Sequence, residues 1–127
     1  MKLKFLLILE AAFSLLTGLG LVFAPRTILF LYRLNTDAGG VFMSQNAGGL
    51  YCGVGLLAWL VRNLGTAELR RPLCLAYSAY HTILLVIALQ AWLAGQFAFQ
   101  YGWISAIIEI FFAAAFGYFY FAKTTAR

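Results

Sequence analysis

The stretch SQNAGGLYCGVG, from Ser44 to Gly55, decides how the rest of the chain is interpreted. It places two amides, Gln45 and Asn46, beside four glycines in an apolar segment running from about Val41 to Val61, which is long enough to cross a bilayer. Amides and glycines at this density suit a lipid-facing surface poorly, because small residues allow close helix packing and buried amides need partners. We therefore expect this segment to pack against other helices.

The four glycines are the expected helix-packing positions: Gly48, Gly49, Gly53 and Gly55. Gly49 and Gly53 have the GxxxG spacing that brings membrane helices into close contact. Within a glycine-rich apolar helix, this spacing favours packing inside a bundle over dimerisation of two chains.

The composition of the chain argues against a soluble domain. Of its 127 residues, 64% are hydrophobic and 10% are charged, which is too few charges to cover a soluble domain of this size. Four apolar segments, at about residues 5–24, 41–61, 73–93 and 103–121, each approach the roughly 20 residues that span a bilayer. The sequence predicts an all-α membrane protein, with residues 1–127 forming one domain that is a bundle of four transmembrane helices.

The basic residues lie mainly beside alternate ends of these segments. They precede the first segment, separate the second from the third and follow the fourth: Lys2, Lys4, Arg62, Arg70, Arg71, Lys123 and Arg127. Because basic residues favour the cytoplasmic side, this pattern predicts that both termini are cytoplasmic. The location of the basic residues also explains the net charge of +5 without a nucleic-acid partner. We therefore expect the lipid bilayer as a partner and no binding to nucleic acid.

The connections between the segments carry signals of their own. Pro25 is expected to end the first helix, and Arg26 to Leu34 is apolar enough to lie along the membrane interface. Thr36 or Asp37 could cap the second long helix, and Pro72 suits the first turn of the third.

Five polar residues within the apolar segments are the candidates for a ligand or proton site. The topology places Glu10 and His81 in the inner half of the membrane, and Gln45, Asn46 and Glu109 in the outer half. Because a charged carboxylate is costly in hydrocarbon, each acid should be protonated or paired. We expect His81 to pair with Glu10, on whose face Ser14 also lies, and Asn46 or Gln45 to pair with Glu109.

Two interpretations of these residues remain open. Either a binding pocket or proton path lies between the two layers, or the polar groups only hydrogen-bond the helices together. The sequence has no phosphate-binding glycine loop, nucleophile elbow or zinc-ligand spacing, and a single histidine cannot form a bis-histidine haem site. We therefore expect no catalytic residue, no metal, no cofactor and no enzymatic activity.

Three stretches carry a resemblance to a known family: LTGLGLVFAPRTILFLYRL, GGLYCGVGLLAWLVRN and GWISAIIEIFFAAAFGYF. Together they resemble the small four-helix bacterial membrane proteins called DoxX-like, and among these a domain of unknown function. The resemblance implies a four-helix bundle in the bacterial inner membrane with no established activity. The positions of this chain that match the pattern of the family are Pro25, Gly48, Gly49, Gly53, Gly55 and Glu109.

The leading hypothesis is a non-enzymatic bundle that forms a homo-oligomer or joins a larger membrane complex, and that binds a small hydrophobic, lipid-like ligand. A proton-coupled small-molecule transporter using Glu10 with His81 is the second hypothesis. The chain is also similar to small multidrug-resistance transporters, which are short, four-helical and carry a glutamate in the first helix, as Glu10 does here. A quinone-linked membrane redox component is the third.

Overall fold

The structure, a computed structural model, describes residues 2–63, 67–96 and 99–122, without the side chains of residues 67, 68 and 99–102. Five helices form this part of the chain. They are α1 (Leu3–Phe23), α2 (Pro25–Leu31), α3 (Ala38–Val61), α4 (Ala67–Leu93) and α5 (Phe99–Phe121).

Three stretches of helix in the described residues are long and apolar enough to cross a membrane. They are Leu3–Phe23, Leu69–Leu93 and Trp103–Phe121. Helix α3 is 24 residues long, so its length suffices, but the amides and glycines of its first half lower its hydropathy. The chain is therefore all-helical and compatible with a multi-pass membrane protein, while the fourth span stays a prediction.

Pro25 separates the first two helices. Helix α1 ends at Phe23, and Pro25 is the first residue of α2. A proline suits this position because its fixed φ is helical and the first helical N–H has no partner within the helix. The segment that was expected to lie along an interface thus contains a helix of seven residues.

Asp37 is the N-cap of helix α3 and is one of the two residues predicted to cap it. Its Oδ1 accepts a hydrogen bond of 2.8 Å from the backbone N–H of Gly40, which gives one of the first helical N–H groups the acceptor that it otherwise lacks. The prediction is confirmed for Asp37.

The prediction that Pro72 lies in the first turn of its helix is wrong. Helix α4 begins at Ala67, so Pro72 lies inside it, in the second turn. The residues before it, AELRR, are mostly strong helix formers and extend the helix upstream. The proline removes one backbone hydrogen bond near the helix start, where few such bonds have formed.

The chain divides into two compact units, residues 1–63 and 64–127. In the first unit, α1 packs against α3, and the short α2 contacts both. In the second unit, α4 packs against α5. The expected single four-helix domain stays a prediction.

Glycines bring the backbones of α1 and α3 into contact. A Cβ atom built on Gly48 would lie 2.8 Å from the carbonyl oxygen of Gly18, and one on Gly55 would lie 2.9 Å from the backbone nitrogen of Leu15. A Cβ atom on Gly18 would lie 2.7 Å from the carbonyl oxygen of Gly48. These distances leave no room for a side chain, so the seam between α1 and α3 requires glycine at all three positions.

Gly49 and Gly53, the GxxxG pair, do not take part in this seam. A Cβ atom at either position would meet no described atom within 4 Å. Successive helical residues are about 100° apart, so these two glycines point away from the face that carries Gly48 and Gly55. The expected packing role is therefore found at Gly48 and Gly55, whereas the packing of Gly49 and Gly53 against another helix of the bundle stays a prediction.

Candidate functional site

Helices α4 and α5 meet along two buried stripes. The buried residues of the stripes are Cys74, Tyr77, His81 and Ala88 on α4, and Ala106, Glu109, Phe112, Phe116 and Phe119 on α5. Their spacing of three, four or seven residues is that of one face of a helix. Among them, His81 carries an imidazole and Glu109 a carboxyl group, two groups that can hold or pass on a proton.

His81 and Glu109 form a direct contact across the two helices. The Nδ1 atom of His81 lies 2.6 Å from Oε2 of Glu109, and the exposed fractions of these residues are 0% and 4%. The hydrogen bond is donated either by an Nδ1–H to the carboxylate or by a protonated carboxyl to Nδ1. The pair can therefore hold one proton in two arrangements.

Aromatic rings surround the imidazole of His81. The ring of Phe112 stacks on it with centroids 4.8 Å apart and an angle of 17°, and Tyr80 approaches edge-on at 5.0 Å. The Phe116 ring lies nearly parallel to the imidazole at 6.2 Å and also stacks on Tyr77. These rings fix the orientation of the imidazole, and an apolar surrounding strengthens the hydrogen bond to Glu109.

Close to His81 and Glu109, a hydrogen bond and a glycine fix the distance between α4 and α5. The Ser78 hydroxyl donates a hydrogen bond of 3.0 Å to the carbonyl oxygen of Ala113. A Cβ atom on Gly117 would lie 3.4 Å from that hydroxyl oxygen, so the two helices approach closely here. Ala113 and Gly117 follow Glu109 at intervals of four residues, so the three residues lie on one face of α5.

Glu10 is the second buried acid, and it belongs to the first unit. It lies in α1 with no exposed surface, and the Ser14 hydroxyl donates a hydrogen bond of 2.6 Å to its Oε1. The expected shared face of Glu10 and Ser14 is confirmed. The expected pairing of Glu10 with His81 joins the two units and stays a prediction.

The side-chain amides of Gln45 and Asn46 donate hydrogen bonds to backbone carbonyls of the first unit. Gln45 Nε2 donates to the carbonyl oxygen of Val22 at 3.1 Å, and Asn46 Nδ2 donates to that of Phe42 at 3.0 Å. Val22 lies in the last turn of α1, where carbonyls lack partners within the helix. The expected pairing of these amides with Glu109 joins the two units and stays a prediction.

The sequence contains a signal that would have paired His81 with Glu109. The two residues are equally distant along the chain from Gly95, which lies in the turn between α4 and α5, and antiparallel helices place such residues side by side. The predicted segments began too late in both helices, at residues 73 and 103 instead of 67 and 99. This error assigned the two residues to different halves of the membrane.

The pair can bind or transfer a proton, and it can donate or accept hydrogen bonds. In the described residues 2–63, 67–96 and 99–122, no three His, Cys, Asp or Glu residues are grouped so that they could hold a metal ion. The site chemistry that these residues offer is thus that of a carboxyl group, an imidazole and the surrounding rings.

No family model, curated protein or solved structure matches the chain. The resemblance to the DoxX-like proteins accordingly stays a prediction. The function must be argued from the residues and their contacts.

Proposed function

We propose that the chain is a non-enzymatic integral membrane protein with four spans that binds a small hydrophobic ligand, with His81 and Glu109 as the polar contact for that ligand. The observation that carries the proposal is the buried hydrogen bond of 2.6 Å between His81 Nδ1 and Glu109 Oε2. Ionisable groups inside a membrane helix are costly, and they commonly mark a site of function.

The surroundings of the pair indicate the class of ligand. The imidazole lies against the rings of Phe112 and Tyr80, so a molecule that reaches it meets flat apolar surfaces and one pair of hydrogen-bonding groups. Pockets of this composition bind molecules that are mostly hydrophobic and carry a single polar group. A lipid-like molecule or a quinone has this chemistry.

Mass spectrometry of the purified protein tests this proposal. Protein extracted in a mild detergent should retain one hydrophobic molecule in near-stoichiometric amount, and Glu109→Ala should lose it. Thr82→Ala is the matched control, because Thr82 follows His81 on α4 but is exposed and bonds to the carbonyl of Ser78. Equal retention by Glu109→Ala and the control would contradict the proposal, as would wild-type protein without a bound molecule.

Proton-coupled transport of a small molecule is the second candidate function. It is favoured by Glu10, a buried acid in a helix long enough to cross a membrane. Such a transporter would use Glu10 with His81 as its protonatable groups, and His81 in turn bonds to Glu109. Protonation and deprotonation of these groups would couple the movement of a proton to the movement of a substrate.

Proteoliposomes with an internal pH-sensitive dye test this second candidate. A pH gradient should drive uptake of a substrate by the wild type, and Glu10→Gln should abolish both uptake and proton movement. Asp37→Asn serves as the control, because this acid lies on the exposed cap of α3. Uptake that persists in Glu10→Gln would exclude the candidate.

A further inference from the structure

Arg70 occupies an unusual position for a charged residue in an apolar helix. It lies in the first turns of α4 and precedes Cys74 and Tyr77 by four and seven residues, so it belongs to the stripe that faces α5. Its guanidinium carbon lies 5.6 Å from the centroid of the Phe119 ring, which is itself buried. The side chain is therefore held against α5 and does not extend freely from the helix.

One donor of this guanidinium has no acceptor among the described residues. The Nε atom of Arg70 is buried and makes no hydrogen bond with any described residue. A buried donor without an acceptor costs about 1–3 kcal/mol, more when it is charged. Such a group in a folded protein calls for an explanation, and a bound ion or an ordered water is one of them.

The location of Arg70 indicates which acceptor is available. The beginning of α4 and the end of α5 lie at the same end of this antiparallel pair, where the apolar stretches Leu69–Leu93 and Trp103–Phe121 start and finish. Tyr118, at the end of α5, is 69% exposed, and tyrosines at such positions are typical of the headgroup level of a bilayer. Phosphate groups lie at that level.

We propose that Arg70, supported by Phe119, forms a binding site for the phosphate of an anionic phospholipid headgroup. The planar guanidinium offers paired donors that match two phosphate oxygens, and an anionic headgroup is attracted to a chain with a net charge of +5. The inference depends on the proposed placement of α4 and α5 in a membrane, and it is independent of the ligand proposed for His81 and Glu109.

Reconstitution into lipid nanodiscs tests the site. The wild type should unfold at a higher temperature in nanodiscs that contain phosphatidylglycerol than in pure phosphatidylcholine, and Arg70→Gln should lose most of this difference. Native mass spectrometry should show about five-fold less bound phosphatidylglycerol for Arg70→Gln. This is the change in binding expected from losing about 1 kcal/mol, the typical contribution of one basic residue at an anionic membrane surface.

Arg71→Gln is the matched control, because it removes the same charge from an exposed neighbouring position. This variant should keep most of the lipid effect, and an equal loss in both variants would overturn the inference in favour of general surface charge. Arg70→Lys keeps the charge without the planar group and should bind an intermediate amount of lipid, which provides a second test should Arg70→Gln fold poorly.

Two further measurements complete the test. One distinguishes a site for a lipid headgroup from a site for free phosphate, and the other tests whether the protein enters a membrane. Inorganic phosphate added to phosphatidylcholine nanodiscs should not raise the unfolding temperature, and an equal rise would identify a site for the free ion instead of the lipid. Failure of the wild type to enter nanodiscs would refute the membrane placement itself. Entry without any effect of phosphatidylglycerol would refute only the headgroup site.

Discussion

Among single residues, His81 and Glu109 have two effects. Their contact stabilises the pairing of α4 with α5, and the two side chains can share a proton. Both side chains are buried in the α4–α5 seam, so neither can exchange its partner for water without opening the helix pair. A buried donor or acceptor that loses its partner retains its full desolvation cost. The stability of the second unit should therefore depend on this pair.

Glu109→Ala should lower the free energy of unfolding by about 1–3 kcal/mol, because it removes the partner of the His81 Nδ1 atom. Glu109→Gln should cost less, because its amide oxygen can still accept a hydrogen bond from an Nδ1–H. Unfolding in mixed detergent micelles measures both values. Ile110→Ala, at a half-exposed neighbouring position, is the control, and a Glu109→Ala protein as stable as this control would contradict the prediction.

The backbone at Arg33 provides a second test at this scale. Arg33 has a φ of 56° and Gly95 has a φ of 69°, and each lies at the end of a helix in the left-handed conformation. The hydrogen bonds Leu34 N–H to Leu29 O, after α2, and Gln96 N–H to Ala91 O, after α4, span the same number of residues. Both ends thus form the same C-terminal motif, in which glycine is the preferred residue.

Arg33→Gly should raise the free energy of unfolding by about 1 kcal/mol, and Gly95→Ala should lower it by a similar amount, because a Cβ atom disfavours this conformation. Arg33→Ala is the control for the first change, because it removes the charged group but keeps the Cβ atom. Thermal unfolding in detergent gives the comparison. The backbone argument fails if Arg33→Ala and Arg33→Gly have the same stability.

At the scale of elements, the contact between α1 and α3 depends on which glycines face the neighbouring helix. Gly48 and Gly55 touch α1, whereas the adjacent Gly49 and Gly53 have no described atom within 4 Å of their would-be Cβ atoms. The same residue type therefore has two different roles within three turns of one helix. This difference makes neighbouring glycines controls for each other.

Gly48→Ala should destabilise the protein by at least about 1–3 kcal/mol, because its Cβ atom would lie 2.8 Å from a backbone oxygen of α1 and would force the helices apart. Gly49→Ala should instead be neutral or stabilising by up to about 1 kcal/mol, since alanine is the better helix former. Unfolding of both variants in the same detergent gives the comparison. Equal destabilisation by the two changes would show that α3 packs by a different face.

At the scale of the whole molecule, the proposal of four spans depends on α3. Helices α1, α4 and α5 contain stretches apolar enough to cross a membrane by themselves, whereas the hydropathy of α3 is reduced by its amides and glycines. Its glycine face packs against α1, and Gln45 donates to the end of that helix. A pairing of this kind lets a moderately apolar helix enter a bilayer together with its neighbour.

Reporter fusions test this topology. With four spans and cytoplasmic termini, a fluorescent reporter fused after Asn63 or Arg127 should be active, and a periplasmic phosphatase fused after Asn35 or Gln96 should be active. If α3 does not cross, the reporters after Asn35 and Asn63 should report the same side. Western blots of the fusions control for differences in expression.

The fold was predicted well where local sequence decides it. The long apolar runs, the break at Pro25 and the cap at Asp37 depend on residues close together in the chain, and the structure contains all three. The start of α4 was missed by six residues because Pro72 was interpreted as a boundary, although the helix formers before it extend the helix. Helix ends depend on several weak preferences that compete.

The sequence singled out candidate polar residues but did not give all of their contacts. His81, Glu109 and Glu10 were identified because polar groups in apolar segments require an explanation, but the hydrogen bond between His81 and Glu109 was not predicted. A partner depends on how two helices align along their length, and this alignment follows from the turn at Gly95 and the close approach at Gly117.

Residue type and spacing were enough to predict that apolar helices form and which of their polar residues require partners, because helix formation and burial follow from these local features. The packing of the helices, by contrast, was needed to show that Gly48 and Gly55, not Gly49 and Gly53, touch α1, and that Glu109 bonds to His81. A rotation of one residue turns a helix by about 100°, so small differences in register, which composition does not encode, choose the contacts.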